Sequence, residues 1–249
     1  MTIDTIKAPL SGATAPLRAL GLLRQHRALW PYVLWPVLLN LVLGLTLYAA
    51  LLWAGFGAIE RTAAAWPPEL AGLAWLLKGL LGLLLLVATG FVLVRFGVVL
   101  GAPFYGRLAE EIAAIAGGRD AGPQRSGALG AAGDILRALR FELSKLLIVI
   151  PIALLLLLGN LLPIGGQILG LVGGALLGAL IACLDFFDAT LERRRLGFRQ
   201  KLGVVRRLFP ASLGFGLVAF ALVSVPFINL LAVPLCVAAG TLLLIEREG

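Results

Sequence analysis

The chain has 249 residues, 60% of them hydrophobic and 14% charged, with a net charge of +8 and a mean hydropathy of +1.01. Soluble domains are about 45–50% apolar and about 25% charged, and one core cannot bury this much apolar side chain. Water-soluble and disordered proteins are excluded, which leaves an all-α integral membrane protein, read as a single membrane domain over residues 1–249.

The first uncharged run is Ala28 to Ile59. It exceeds the ~20 residues needed to cross a bilayer as a helix and is too long for a signal-peptide core. Pro9, Pro16 and three arginines precede it, with no small-residue cleavage pattern. Trp30, Tyr32 and Trp35 stand at its start, and Trp53 and Trp66 near or past its end. Trp35 to Trp53 is about 27 Å of helix, the spacing of two aromatic belts. Residues 28–59 are therefore a spanning helix, with Pro31 and Pro36 marking or bending its first turns.

A short connection, Glu60 to Glu69, holds Pro67-Pro68. A second span follows over 70–100, interrupted by Lys78 and Arg95. These two lie about 25 Å apart along a helix, so each can snorkel to its own interface; Arg95 facing a polar pathway is the alternative.

From Gly101 to Lys145 the pattern is mixed. Phe104, Leu108, Ile112 and Ile115 have helical spacing, with Arg107, Glu110 and Glu111 opposite. Gly117-Gly118 should end that helix. Asp120, Gly122-Pro123 and Gly133 read as a polar loop, and Asp134 as the cap of an amphipathic helix reaching Lys145.

Two long uncharged runs close the chain, 146–184 and 208–245. Each is broken midway, the first through Asn160, Pro163 and Gly165-Gly166-Gln167, the second through Pro226 and Asn229. The breaks predict two helical hairpins. Their arms of about 22–27 Å are marginal for a core of about 30 Å, so they are thin spans or hairpins that only partly penetrate. Two broken apolar segments of like pattern mark either an internal repeat around a transport site or a plain similarity between membrane hairpins.

The remaining inventory offers little chemistry. His26 is the one histidine, and Cys183 and Cys236 sit inside apolar runs. No zinc spacing, histidine triad or CxxC can be assembled, and no GxxxxGK[ST] phosphate loop is present. We therefore expect no metal, no cofactor and no enzyme activity. The positive charges lie between spanning runs without interleaved aromatics, which argues against a nucleic-acid partner.

Met1 to Arg27 carries four Lys/Arg, Arg95 to Lys145 seven, and Asp185 to Arg207 seven. The connection from Glu60 to Glu69 has only Arg61, and the hairpin breaks have none. Two spans and two hairpins put every basic segment, and both termini, on one side, the cytoplasmic one by the positive-inside rule. The basic run around Arg194 is also compatible with anionic lipid headgroups.

Several motifs recur in a known order. Ala102-Pro103-Phe104-Tyr105-Gly106-Arg107-Leu108-Ala109-Glu110 resembles the Ala-Pro-Phe-x-Gly-x-Leu-Ala-Glu signature of the CysZ family of bacterial sulfate permeases. Glu142, Lys145 and Pro151, the tip Pro163-Ile164-Gly165-Gly166-Gln167, and Leu213-Gly214-Phe215-Gly216 through Pro226, Asn229, Pro234 and Gly240-Thr241 are similar to further family motifs. So is the opening Ala8-Pro9-Leu10-Ser11-Gly12. At the start of the first long helix, where such permeases carry Gly-aliphatic-Arg, this chain reads Arg27-Ala28-Leu29-Trp30-Pro31.

The resemblance implies two long transmembrane helices with two partly penetrating hairpins and a homo-oligomer in the bacterial inner membrane. It also implies sulfate uptake feeding cysteine synthesis. A dianion is held by backbone N–H groups at helix starts, aided by arginine. The candidate sulfate contacts are Arg24 and Arg27, then Gly165, Gly166 and Gln167 with Asn160, and finally Asn229. Each also has a structural reading: interfacial anchor for the arginines, turn for the glycines, cover for broken backbone for the asparagines. Arg107, Glu110 and Glu111 form either a gating constriction or salt bridges with Lys145 and Glu142. Without a nucleotide site, transport is channel-like or ion-coupled. A non-transporting scaffold or regulatory protein of the same fold is the alternative.

Overall fold

The structure, a computed structural model, describes residues 3–117, 128–162, 165–225 and 228–248. Among them nine α-helices follow in order: α1 (Ile3–Ala13), α2 (Ala15–Gln25), α3 (Trp30–Ala63), α4 (Ala71–Ile115), α5 (Ala128–Gly159), α6 (Gly166–Leu191), α7 (Phe198–Arg207), α8 (Ala211–Ser224) and α9 (Ile228–Glu248). Short 3-10 turns precede α3 and α4. The protein is an all-α membrane protein. Among the described residues five segments are long and apolar enough to cross a bilayer: Arg27–Ala63, Pro68–Leu93, Leu139–Gly159, Gly166–Leu191 and Ile228–Arg247.

α3 and α4 form the long hairpin. Pro31 occupies the first turn of α3, where a missing N–H costs nothing, and Pro36 lies buried within the helix. Leu side chains along both helices are exposed, as are Trp35 and Trp53, so this hairpin presents a long apolar surface. The Tyr48 hydroxyl donates to the Gly82 carbonyl at 3.2 Å and ties the two helices together. Near the far end, Lys78 Nζ lies 2.7 Å from Glu60 Oε1 and over the Phe56 and Trp75 rings. The side chain of Arg95 is outside the described residues.

The core sits elsewhere, around α9. Cys236, Ala239, Leu243 and Leu244 of α9 pack with Phe187 of α6, Phe215 of α8 and Leu108 and Ile112 of α4. Phe187 and Phe215 stack at 5.3 Å. Thr190 and Thr241 share a hydrogen bond of 2.8 Å between α6 and α9. α1 and α2 pack along α8 and α9. At the α1–α8 seam a Cβ on Gly12 would lie 1.8 Å from the Ala211 carbonyl oxygen, and one on Gly214 2.1 Å from that of Pro9. Both positions require glycine for backbone approach.

Three features differ from the sequence reading. The second span and the amphipathic segment after it are one helix of 45 residues, α4, with Pro103 inside it; Gly117, at φ +70°, turns the chain just past its end. α5 is already helical at Ala128 and contains Gly133 and Asp134, so Gly133 is not loop and Asp134 is not the cap. Asp120, Gly122 and Pro123 lie outside the described residues. The first hairpin's arms are also longer than expected, because α5 and α6 continue past the uncharged run into charged turns. The 26 residues of α6 make about 39 Å.

α8 remains short, with 14 residues or about 21 Å. Cys183 meets Ser212, Ala179 meets Gly216 and Gly178 meets Phe220, so α8 runs antiparallel to α6. Its end, Ser224, comes level with the second turn of α6, and the first hairpin reaches about 9 Å beyond it.

Candidate functional site

The candidate residues occupy four places. At the tip of the α5–α6 hairpin, Asn160, Gly165, Gly166 and Gln167 come together. Gly165 adopts a left-handed conformation, φ +81°, as the cap of α6. A Cβ on Gly166 would sit 2.5 Å from the Gly159 carbonyl oxygen, so only glycine lets the arms close here. One on Gly170 would meet Asn160 Oδ1 at 3.2 Å, which places the Asn160 side chain against the first turns of α6. Gly165, the N-cap, has no side chain to cap α6, and among the described residues no side-chain hydrogen bond reaches its first-turn N–H groups, which leaves a positive helix end. Gln167 is exposed on that turn. Pro163 and Ile164 lie outside the described residues.

Asn229 belongs to the other tip. It is buried in the first turn of α9, with its N–H bonded to the Val225 carbonyl at 3.1 Å. Pro226 lies outside the described residues.

Arg24 and Arg27 flank the elbow between α2 and α3, and both are exposed. The helix start beside them has few donors left. The Leu29 amide bonds to the His26 carbonyl at 3.1 Å, the Trp30 amide bonds to that of Arg27, and Pro31 has none. Trp30 Nε1–H donates to the Leu23 carbonyl at 3.0 Å, so this residue locks the elbow.

Arg107, Glu110 and Glu111 lie near the end of α4. Glu110 forms ion pairs with Arg193 at 3.1 Å and with Arg107 at 3.5 Å. Lys145 does not join them: its Nζ lies 2.7 Å from Asp185 and 2.8 Å from Glu142. Glu110 thus bridges α4 to the chain just after α6, while Lys145 bridges α5 to α6.

One charged cluster escaped the sequence reading. Lys201 of α7 has a side chain only 2% exposed, held by Asp188 at 2.5 Å and Glu192 at 2.6 Å. Arg137 of α5 reaches Glu192 at 2.9 Å. Phe141 lies beneath, 4.5 Å from Lys201 Nζ and 5.5 Å from Lys145 Nζ. The signal was present: Asp185, Asp188 and Glu192 recur at one-turn steps on a single helix face. Composition alone groups these acids with the basic segment from Asp185 to Arg207, because the uncharged run ends at Leu184.

Tip and cluster stand at opposite ends of α6, about 39 Å apart along the axis. They do not form one site; the arrangement is a polar tip, an apolar shaft and a charged base. Among the described residues no group of His, Cys, Asp and Glu is placed to hold a metal ion. Cys183 and Cys236 are buried free thiols.

A family model described as Sulfate transporter CysZ/Etoposide-induced protein 2.4 matches residues 15–234. A protein of Pseudomonas aeruginosa named Sulfate transporter CysZ is 30% identical over 219 residues, covering 86% of this chain and 87% of that one. Proteins of the same name from Pectobacterium atrosepticum and Vibrio cholerae are 29% and 28% identical, covering 87% and 84% of this chain and 78% and 83% of their own. The match takes in the long hairpin, the glycine tip, the charged base and most of the α8–α9 hairpin, so the chain belongs to the family of Sulfate transporter CysZ and Etoposide-induced protein 2.4.

Proposed function

We propose that this protein carries sulfate across the bacterial inner membrane toward the cytoplasm, where sulfur is reduced for cysteine synthesis, and that it is not an enzyme. The observation that carries the reading is similarity to proteins named sulfate transporters along nearly the whole membrane portion. The charge distribution supports a cytoplasmic location for both termini and for the charged base. The α5–α6 tip then lies toward the opposite face.

A dianion leaving water needs positive charge and several donors. The uncapped start of α6 with Gly165, Gly166 and Gln167 supplies donors, and Arg24 and Arg27 supply charge at a second helix start. Asn160 and Asn229 are the polar side chains at the two tips. Arg107, Glu110 and Glu111 are the proposed gating group at the base. With no nucleotide-binding motif in the chain, passage is channel-like or driven by a coupled ion.

A homo-oligomer fits the same reading. α8 ends inside the thickness of a bilayer, and lipid cannot satisfy the backbone groups of a turn there. Light scattering in mild detergent should give a mass above the monomer's 26.2 kDa.

The deciding experiment is labelled-sulfate uptake into proteoliposomes made from the purified protein alone. Uptake should exceed that of empty liposomes. Replacing Arg24 and Arg27 together by Gln should reduce it with the fold retained. Undiminished uptake in that variant removes the arginine assignment; no uptake by the unaltered protein removes the transport reading and leaves the scaffold reading.

A further inference from the structure

Between α7 and α8 the chain turns through 106°. α8 follows α6, a helix of membrane-crossing length, so α7 lies across that direction, as an interfacial helix does. Its basic side chains Arg199, Arg206 and Arg207 are exposed, while Val205 faces the protein.

Under this corner lies a cavity of about 380 Å³, a size within the range of about 300–1,000 Å³ found for small-molecule sites. Leu176 and Leu180 of α6, Val205 of α7 and Leu213 of α8 line it. The polar groups of its floor are already engaged. The Cys183 thiol donates to the Ser212 carbonyl at 2.7 Å, and the Ser212 hydroxyl donates to the Val205 carbonyl at 2.8 Å. A polar solute would find no free partner in that floor, so its occupant is apolar.

The lining residues Arg206 and Phe209 are different, because both are also exposed. Among the described residues Arg206 makes no ion pair. Arg207 stands beside it, also exposed. An apolar groove that opens beneath a guanidinium group complements a molecule with an acyl chain and an anionic head. Free sulfate or phosphate would use the arginine and leave the groove unfilled.

We infer that this corner binds a single anionic phospholipid, its phosphate on Arg206 and one acyl chain in the groove between α6 and α8. The lipid would join α7 to the α6–α8 pair. The site is separate from the α6 tip and from the arginines at the α2–α3 elbow, and the inference does not depend on the transport reading.

Native mass spectrometry of the full-length protein in detergent, titrated with dioleoyl phosphatidylglycerol, tests it. Phosphatidylcholine with the same chains serves as one comparison and inorganic phosphate as another. Phosphatidylglycerol should be retained as a single tight adduct, with phosphatidylcholine held more weakly. Arg206→Gln should weaken phosphatidylglycerol retention about five-fold, the worth of one basic side chain against an anionic headgroup. Leu176→Trp should fill the groove and weaken both lipids. Arg199→Gln, an equally exposed change elsewhere on α7, should alter neither.

Equal retention of both lipids, unaffected by Arg206→Gln, would overturn the inference in favour of ordinary boundary lipid. Displacement of phosphatidylglycerol by millimolar phosphate would overturn it in favour of a plain oxyanion site. Should Leu176→Trp fail to fold, the surface change Arg206→Gln still decides.

Discussion

Replacing Lys201 by methionine keeps most of the length of the side chain and removes its charge. In the native protein the ammonium lies between two carboxylates at 2.5 and 2.6 Å, with its side chain 2% exposed. Without it, Asp188 and Glu192 face each other one helical turn apart, with Arg137 still paired to Glu192. Breaking a buried ion pair from one side typically costs about 3–5 kcal/mol. The lost contact with the Phe141 face adds about 0.5–1 kcal/mol. For a chain of this size 1 kcal/mol corresponds to about 2–4 °C in Tm, so the expected drop is on the order of 10 °C. Thermal unfolding of the purified protein in detergent, followed by circular dichroism, measures it. Adding Asp188→Asn and Glu192→Gln to Lys201→Met should recover much of the loss, because no buried charge is then left unpaired. A Tm within about 2 °C of the parent for Lys201→Met alone would refute the argument that this cluster holds α5, α6 and α7 together.

Gly214→Ala should cost about 1–3 kcal/mol by forcing α1 away from α8, seen as a lower Tm and faster proteolysis of the N-terminal segment. Gly166→Ala should prise open the α5–α6 tip, because its Cβ would fall 2.5 Å from the Gly159 carbonyl oxygen; sulfate uptake should fall while Tm drops by only a few degrees, about the cost of local overpacking. In a background lacking Cys183 and Cys236, single cysteines at Ala65 and Arg199 should react with an impermeant maleimide from opposite faces of the membrane; labelling from the same face would discard the proposed topology.

Apolar runs declare themselves along the chain because lipid selects them residue by residue, without reference to partners. The first long helix, the breaks near Asn160 and Asn229, the glycine turn at Gly165 and the burial of both cysteines were legible for this reason. So was the membership of the chain in its family, carried by motifs spread over its length. Helix ends were less legible. Nothing local marks where the second span stops, because α4 runs unbroken through Pro103 into an amphipathic half. α5 similarly absorbs Gly133 and Asp134, residues whose local preferences are for turns and caps.

Only the tertiary structure decided which apolar helices stay exposed and which are packed within the protein. The sequences of α3 and α9 are comparably hydrophobic, yet α3 is largely exposed and α9 is surrounded by α2, α4, α6 and α8. Hydropathy measures the cost of meeting water, and lipid and protein core are alike in sparing it; packing partners are set by small residues and shape. The same limit applies to charge. A basic segment announces the cytoplasmic side through its sum, but Lys201 finds Asp188 and Glu192, and Glu110 finds Arg193, only once the helices bearing them are placed together. Topology follows from one-dimensional composition because the bilayer is a one-dimensional field; pairing does not, because it depends on directions that only the folded chain defines.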